Sequence, residues 1–332
     1  MRIVGVTTFG GPERLQLLEA PEPHAGPGEV RIRVHAATIN PTDVGLRQGY
    51  QGYQLPGRAE PYVPGMEAAG VISEVGPGAP FQVGDRVMAV VVATDPHGGA
   101  YADELVAAAE SVVSMPAGTG FPEAATLPMN GLTARSALDL LQLPAGSTVA
   151  VTGAAGAVGG YAVQLAKADG LRVIADAGEA DESLVRTLGA DEIVRRGDDV
   201  ADQILAVAPG GVDGLVDAAV LNELVVPAIR DGGTLAVLRS WTGDPGRGIR
   251  VAPVFVHAEV KNTAALNRLR QQAEDGILSL RVARVFPAAE AAEAHRTFER
   301  GGFRGRLVLA FDDTLSKRAL NKGFSGDGRR AV

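Results

Sequence analysis

The segment TVAVTGAAGAVGG, running from Thr148 to Gly160, decides how the rest of the chain is read. Thr148 to Thr152 is short, apolar and β-branched, as a buried strand should be. Gly153, Gly156 and Gly159 follow at once, and the chain continues as AVQLAK, which has helical character. A strand that turns straight into a helix needs a residue without a side chain at the bend. The same bend lets the backbone approach a pyrophosphate closely, and the helix start offers amides and a positive dipole end to it. The spacing is G-x-x-G-x-x-G rather than G-x-G-x-x-G, so the strand before and the helix after identify the motif, not the glycines alone. Gly153, Ala154, Ala155, Gly156, Ala157 and Val158 are therefore the expected phosphate-cradling residues. The competing reading is a glycine-rich turn in an α/β protein that binds nothing.

Downstream, the alternation continues. A strand over Leu171–Ala175, a helix over Glu182–Leu188, a strand over Glu192–Val194 and a helix over Val200–Ala208 are expected. Strands at Gly214–Val216 and Thr234–Leu238 flank a further helix around Asn222–Ile229. Such alternation makes a parallel, doubly wound sheet with helices on both faces. Asp176 ends the second strand, about 20 residues past the glycine turn, where an acid accepts hydrogen bonds from a ribose 2′-hydroxyl. Read locally it favours NADH, and Glu179, Asp181 and Glu182 would repel a 2′-phosphate. Its alternative is a solvated surface carboxylate.

Upstream the texture differs. Ile3–Thr7, Glu29–Ala37, Gly70–Val75 and Arg86–Val92 read as strands separated by Pro/Gly clusters, which favours a β-rich, barrel-like domain. The change comes near Phe121, where Pro122 and Glu123 suit a first helical turn. Residues 1–121 are expected to form this first domain, 122–264 the doubly wound domain, and 265–311 a return to the first. That return carries helices over Leu266–Glu274 and Ala288–Arg300 and strands over Arg281–Val285 and Arg306–Phe311. Residues 312–332 are polar and are expected to be poorly ordered.

Composition narrows the chemistry. A net charge of -8 disfavours a nucleic-acid partner, which needs a basic surface. The chain has no cysteine, which removes disulfides, thiolate nucleophiles and every cysteine-containing zinc site. No signal peptide, no apolar run long enough to span a bilayer, no G-x-S-x-G elbow and no P-loop is found. A cytoplasmic enzyme without a membrane partner is expected.

Several further segments now look alike to one family. NPTD (40–43), PGMEAAGVISEVGPG (64–78), VGDRV (83–87), GGAYADE (98–104), LPMNGLTA (127–134), LGAD (188–191) and GRLVL (305–309) resemble, in order, the medium-chain dehydrogenase/reductase superfamily. The branch resembled best is the zinc-free, quinone oxidoreductase-like one. The resemblance implies a GroES-like β-barrel catalytic domain, a Rossmann domain, a cleft between them for the nicotinamide, and a homodimer. In the zinc-binding branch a cysteine and a histidine would stand where this chain has Asn40 and Met66, and another cysteine near Met129. The resemblance further implies that Asn40 faces the nicotinamide ribose and that Thr133 contacts the nicotinamide end. It favours NADPH, with NADH possible because Asp176 departs from the family's small and basic residues there.

Without a metal, the substrate must itself be electrophilic, as a quinone or α,β-unsaturated carbonyl is. The protein then holds hydride donor and acceptor together and excludes water. Candidate proton donors are Tyr50, Tyr53 and His97, each with the alternative of a packing or surface role; solvent is another source. Phe255 is a candidate pocket residue, against ordinary strand packing. Asp43 and Glu67 are read as structural, the first satisfying loop amides and the second salt-bridged. Two alternatives share the fold: an ene reductase tailoring a biosynthetic intermediate, and a non-catalytic NAD(P)H-binding redox sensor.

Overall fold

The computed structural model describes residues 1–50 and 60–312. Tyr53, most of the loop from Gly49 to Pro61 and the polar tail beyond Asp312 lie outside the described residues. The chain divides into two compact units. Unit 1 holds Met1–Met129, Val260–Arg270 and residues from Leu280 onward; unit 2 holds Asn130–Glu259 and Gln271–Ser279. The change of texture near Phe121 thus precedes the unit boundary, which falls inside the LPMNGLTA segment.

Unit 1 begins with strands β1 (Arg2–Gly5) and β2 (Gln16–Glu19), a separate antiparallel pair. Next come β3 (Glu29–Thr38), helix α1 (Pro41–Gln48), β4 (Glu67–Val75), β5 (Arg86–Val90), β6 (Glu104–Ala108), β7 (Val112–Ser114) and the short helix α2 (Phe121–Ala124). In β3 the alternation is plain: Val30, Ile32, Val34 and Ala36 are buried, while Arg31 and Arg33 are less so. That period of two fixes which face meets the core. Gly70 of β4 is paired with Val34, and the carbonyl of Arg33 lies so close that a Cβ built on Gly70 would stand 2.1 Å from it. Helix α1 was not foreseen in the sequence, where no element was read over Pro41–Gln48. Pro41 presets its first turn, the Asp43 carboxylate accepts the Asn40 N–H at 2.8 Å, and Gly49 ends it at φ 72°.

Unit 2 follows with α3 (Pro128–Leu141, its first two residues in unit 1), β8 (Thr148–Thr152), α4 (Ala157–Ala168), β9 (Arg172–Ala177), α5 (Glu182–Thr187) and β10 (Glu192–Arg195). It continues through α6 (Val200–Val207), β11 (Val212–Asp217), β12 (Ile229–Val237) and β13 (Arg250–Pro253). The six strands are all parallel, in the order β10-β9-β8-β11-β12-β13. Counted from β8, this is the 3-2-1-4-5-6 order of a dinucleotide-binding doubly wound sheet. Ala150, Ile174, Val194, Leu215 and Leu235 from five of these strands share one apolar cluster with Val200, Ile204 and Val225. Covered strands of this kind read as near-continuous apolar runs, which is why β8 was legible. The helix expected around Asn222–Ile229 is instead a 3-10 segment over Asn222–Ala228. Pro227 lies inside it and removes the N–H that an α-helical ladder requires. Edge strand β13 was not foreseen.

The chain then forms α7 (Thr263–Glu274), β14 (Val282–Pro287), α8 (Ala291–Arg300) and β15 (Arg306–Ala310). β15 pairs with β14 in parallel and with β3 antiparallel, completing a seven-stranded sheet in unit 1. Gly70→Ala is expected to lower unfolding stability by about 2 kcal/mol or more, because backbone and not a flexible side chain must give way. Urea denaturation checks this; an unchanged midpoint would show that β3 and β4 part at little cost.

Candidate functional site

In unit 2 the glycine turn leaves β8 where its two neighbours, β9 and β11, lead off to opposite halves of the sheet. That position is the topological switch point at which doubly wound sheets bind ligands. Gly153 takes φ 64°, a conformation that L side chains avoid. Its carbonyl accepts the Gly156 N–H at 2.9 Å, and a Cβ on Gly159 would lie only 2.2 Å from that same carbonyl oxygen. Helix α4 starts at Ala157 without a side-chain cap. The amides of Ala157, Val158 and Gly159 have no acceptor within their own helix, and the dipole adds positive charge there. A bend of glycine and alanine beneath uncapped amides fits a diphosphate.

Two carboxylates shape this bend. Asp217, at the end of β11, accepts the Thr152 hydroxyl at 2.7 Å and the Asn222 N–H at 2.7 Å; the Thr152 Oγ1 in turn accepts the Ala219 N–H. Asp176 lies where the spacing placed it, beside the turn, but it is not a solvated acid. It is 1% exposed, with one oxygen accepting the Ala154 N–H at 3.1 Å and the other the Arg196 Nε at 3.2 Å. Thr133 stands half-buried on α3.

In unit 1 the end of β3, the start of β4 and the start of β15 converge on a buried ion pair. Glu67 is fully buried and meets the Arg306 Nη2 at 2.7 Å. Its carboxylate also accepts the Thr38 hydroxyl, the Asn40 Nδ2 at 3.1 Å and the Met129 N–H at 2.7 Å. The Asn40 Oδ1 accepts Arg306 Nη2 at 3.0 Å. Asn40 is therefore held at both ends of its carboxamide. Glu67 is salt-bridged, as read from the sequence, but its partner Arg306 is 239 residues away and was not foreseen. No group of three or more His, Cys, Asp or Glu side chains suited to a metal is found among the described residues.

Beside this pair runs a second buried network, which the sequence reading missed. The Asp43 carboxylate accepts the N–H of Asn40, the N–H of Gly65 and the Tyr101 hydroxyl, the last at 3.2 Å. Asp43 thus satisfies loop amides, as expected. The Tyr101 oxygen also lies 3.2 Å from His295 Nε2 on α8. With the tyrosine proton given to Asp43, the histidine contact requires a proton on Nε2, which makes His295 the neutral Nε2–H tautomer. Its Nδ1 has no hydrogen-bond partner among the described residues. Burial, against hydrogen bonds from Asn40 and Gly65, pushes the Asp43 carboxyl up to about 7. Burial, helped by Arg47, pushes His295 down to about 3.

Of the candidate proton donors, Tyr50 is 69% exposed just past α1. His97 Nε2 lies 3.2 Å from Glu29, at the start of β3 rather than at the end that leads into Asn40. Neither shares a hydrogen bond with the Asn40 cluster, and Tyr53 lies outside the described residues. Phe255 is largely exposed, so strand packing does not account for it.

Comparison with known proteins agrees with both units. Residues 26–121 match the alcohol dehydrogenase GroES-like domain and residues 188–309 the zinc-binding dehydrogenase family. The quinone oxidoreductase of Homo sapiens is 30% identical over 332 residues, covering 93% of this chain and 97% of its own. A crystal structure of an NAD-dependent alcohol dehydrogenase is 30% identical, with a TM-score of 0.83 over 94% of this chain and 100% of that one. A mycobacterial protein complexed with NADPH is 26% identical, with a TM-score of 0.83 over 93% of this chain and 100% of its own.

Two expectations follow. Removing one partner of the Glu67–Arg306 pair, as in Arg306→Met, should cost about 3–5 kcal/mol, whereas Glu67→Gln with Arg306→Met together should cost less. A double-mutant cycle in urea decides, and purely additive losses would show that the pair is not coupled. His295 binds its proton more weakly folded than unfolded, so its contribution is full above its ordinary value near 6.5 and is lost as pH falls toward 3. Asp43 binds its proton more strongly folded, so its penalty grows as pH rises from about 4 to 7. The two slopes oppose one another between about 4 and 6.5. In His295→Asn the first slope is gone, so the wild-type advantage should shrink by about 1.4 kcal/mol per pH unit below 6.5. Parallel stability curves would mean that the ring is not held neutral.

Proposed function

Because the chain belongs to the medium-chain dehydrogenase/reductase superfamily, we propose that it is a zinc-independent, NAD(P)H-dependent oxidoreductase acting on a quinone or an α,β-unsaturated carbonyl. The observation that carries this reading is the bare glycine turn at the switch point of unit 2, with uncapped amides above it. Gly153, Ala154, Ala155, Gly156, Ala157 and Val158 are the proposed diphosphate cradle. The Asn40 carboxamide and the Thr133 side chain are the proposed contacts toward the nicotinamide end. A bound nicotinamide dinucleotide would supply a hydride. NADPH is the proposed donor, with NADH the alternative.

Zinc independence is supported by donor chemistry. The positions that would carry ligands in zinc-binding relatives hold an amide at Asn40 and thioethers at Met66 and Met129. Zinc in proteins takes thiolate, imidazole or carboxylate, and a thioether or amide is a poor substitute. The nearby carboxylate of Glu67 is already neutralised by Arg306. Polarisation of a plain carbonyl or alcohol would then be lacking, so the acceptor must be activated by its own conjugation. A quinone or enone meets that need, since its oxygen takes up the charge and is protonated from solvent. Tyr50 and His97 are assigned no step. The protein's part is positioning and exclusion of water.

Purified full-length protein mixed with NADPH or NADH and 9,10-phenanthrenequinone, or an enone, should consume the reduced cofactor, followed by absorbance at the nicotinamide band. Added chelator should leave the rate within about twofold, because no step is assigned to a metal. Tight cofactor binding without consumption by any acceptor would replace this reading with a non-catalytic redox-sensing protein. A rate that collapses with chelator and returns with zinc would end zinc independence.

A further inference from the structure

Within unit 1, helices α1 and α8 meet along a seam of charged and polar side chains. Asp43 and Arg47 stand four residues apart on α1, and His295 and Glu299 four apart on α8, so each pair shares one face of its helix. Two sets of contacts join the rows. Arg47 Nη2 donates to the Glu299 carboxylate, and the Tyr101 hydroxyl bridges Asp43 and His295. Arg47, Tyr101 and His295 are fully buried, whereas Glu299 is 34% exposed. Three buried atoms of this seam, Arg47 Nε, Arg47 Nη1 and His295 Nδ1, have no hydrogen-bond partner among the described residues. The arginine atoms are donors and the Nδ1 of an Nε2–H ring is an acceptor, so water can take from the first and give to the second. Among the charged groups around the seam, Arg47 is balanced by Glu299 and Arg306 by Glu67. That leaves the Asp43 carboxylate as the unbalanced buried charge of this set.

We infer that His295 Nδ1, with water in the seam, is the outer end of a proton path running through Tyr101 to Asp43, by which this buried carboxylate gains and loses its proton while unit 1 stays folded. Every member of the chain both accepts and donates. A proton delivered to Nδ1 through the water releases the one on Nε2 to the tyrosine oxygen. The tyrosine's own proton passes to Asp43 Oδ2, 3.2 Å away. One proton is gained overall, the carboxylate becomes a carboxylic acid, and Tyr101 and His295 are as neutral as before. Each hydrogen bond survives with its direction reversed. The new Oδ2 hydroxyl still accepts the Asn40 N–H, and Oδ1 still accepts the Gly65 N–H. Tyr101 is the one described O–H among the hydrogen-bond partners of Asp43, the others being main-chain N–H groups that have no proton to give. Burial pushes the carboxyl up to about 7, so uptake falls near neutrality, and pushes the ring down to about 3, so it stays neutral there. The signature is a histidine that changes tautomer instead of charge.

The test is nitrogen-15 NMR of the full chain labelled at histidine and arginine, titrated between about pH 5 and pH 9, with the Asp43 carboxyl followed by carbon-13 labelling of aspartate. The His295 ring is assigned by the signals lost in His295→Asn. It is expected to carry its proton on Nε2 at the alkaline end and on Nδ1 at the acid end, neutral throughout. The crossover should coincide with the Asp43 titration, at about 7. In Tyr101→Phe the linking oxygen is gone, so His295 should keep a single tautomer at every pH. Unshifted signals from the other histidines show that this variant is folded, and the wild-type titration decides even if it is not. The Arg47 Nε–H should exchange magnetisation with water. A wild-type ring that keeps its proton on Nε2 at both ends, or one that becomes imidazolium in this range, would overturn the path. So would a Tyr101→Phe ring whose tautomer still follows pH, and an Arg47 N–H with no water contact would overturn the hydrated seam at its outer end.

Discussion

The carbonyl oxygen of Gly153 has no room for a methyl group beside it, and that intolerance organises unit 2. A Cβ at Gly159 would press to 2.2 Å of it, so α4 can start as near to β8 as it does only with glycine at that position. Close approach of helix to strand in turn fixes where the first uncapped amides sit. Two carboxylates then hold the bend from either side. Asp217 ties the end of β8 to the segment after β11, and Asp176 ties the turn to β9 and to Arg196. Charge and shape at the bend are thus set by backbone and buried acids, with little left to mobile side chains. Preorganised donors of this sort need no rearrangement to meet an anion.

Unit 1 solves a different problem, the burial of charge. Glu67 and Arg306 lie out of water, which would cost several kcal/mol per ion if their hydrogen-bonding capacity were not filled. Thr38, Asn40 and the Met129 N–H fill it. The neighbouring network joins Asp43 and His295 through one tyrosine oxygen, with burial opposing charge on both. Asn40 belongs to both networks, its side chain in one and its N–H in the other, which is why its carboxamide has a set orientation.

Much of this was legible in the residue order, and the failures share a cause. Strand β8, the glycine turn and the alternation that follows are local patterns, written in residues a few positions apart. Asp176 was found by its distance from the turn. Its partner could not be, because Arg196 reaches it only through the pairing of β10 with β9. Glu67 was read as salt-bridged, but Arg306 comes from the last strand, and Tyr101 and His295 are 194 residues apart. No window along the chain contains such pairs. Helix α1 escaped notice because Asn40, Pro41 and Asp43 are turn formers as well as helix starters. Around Asn222 the apolar spacing suggested a helix, and Pro227 reduced it to a 3-10 segment. His97 and Tyr50 were candidates by residue type and loop position, and the described hydrogen bonds join neither side chain to the Asn40 cluster.

The placement of Arg306 bears on how the protein comes off the ribosome. Unit 2 is complete in sequence by Ser279, with every strand of its parallel sheet already made by Pro253. Unit 1 at that stage lacks β14, α8 and β15: β3 has an open edge where β15 will pair, Glu67 has no counter-charge, and Tyr101 has no histidine. Domains fold as units during synthesis, and exposed strand edges invite mispairing. Residues 1–129, made before unit 2, therefore reach their native state after it, waiting for the final described strand to bring both the missing hydrogen bonds and the missing positive charge.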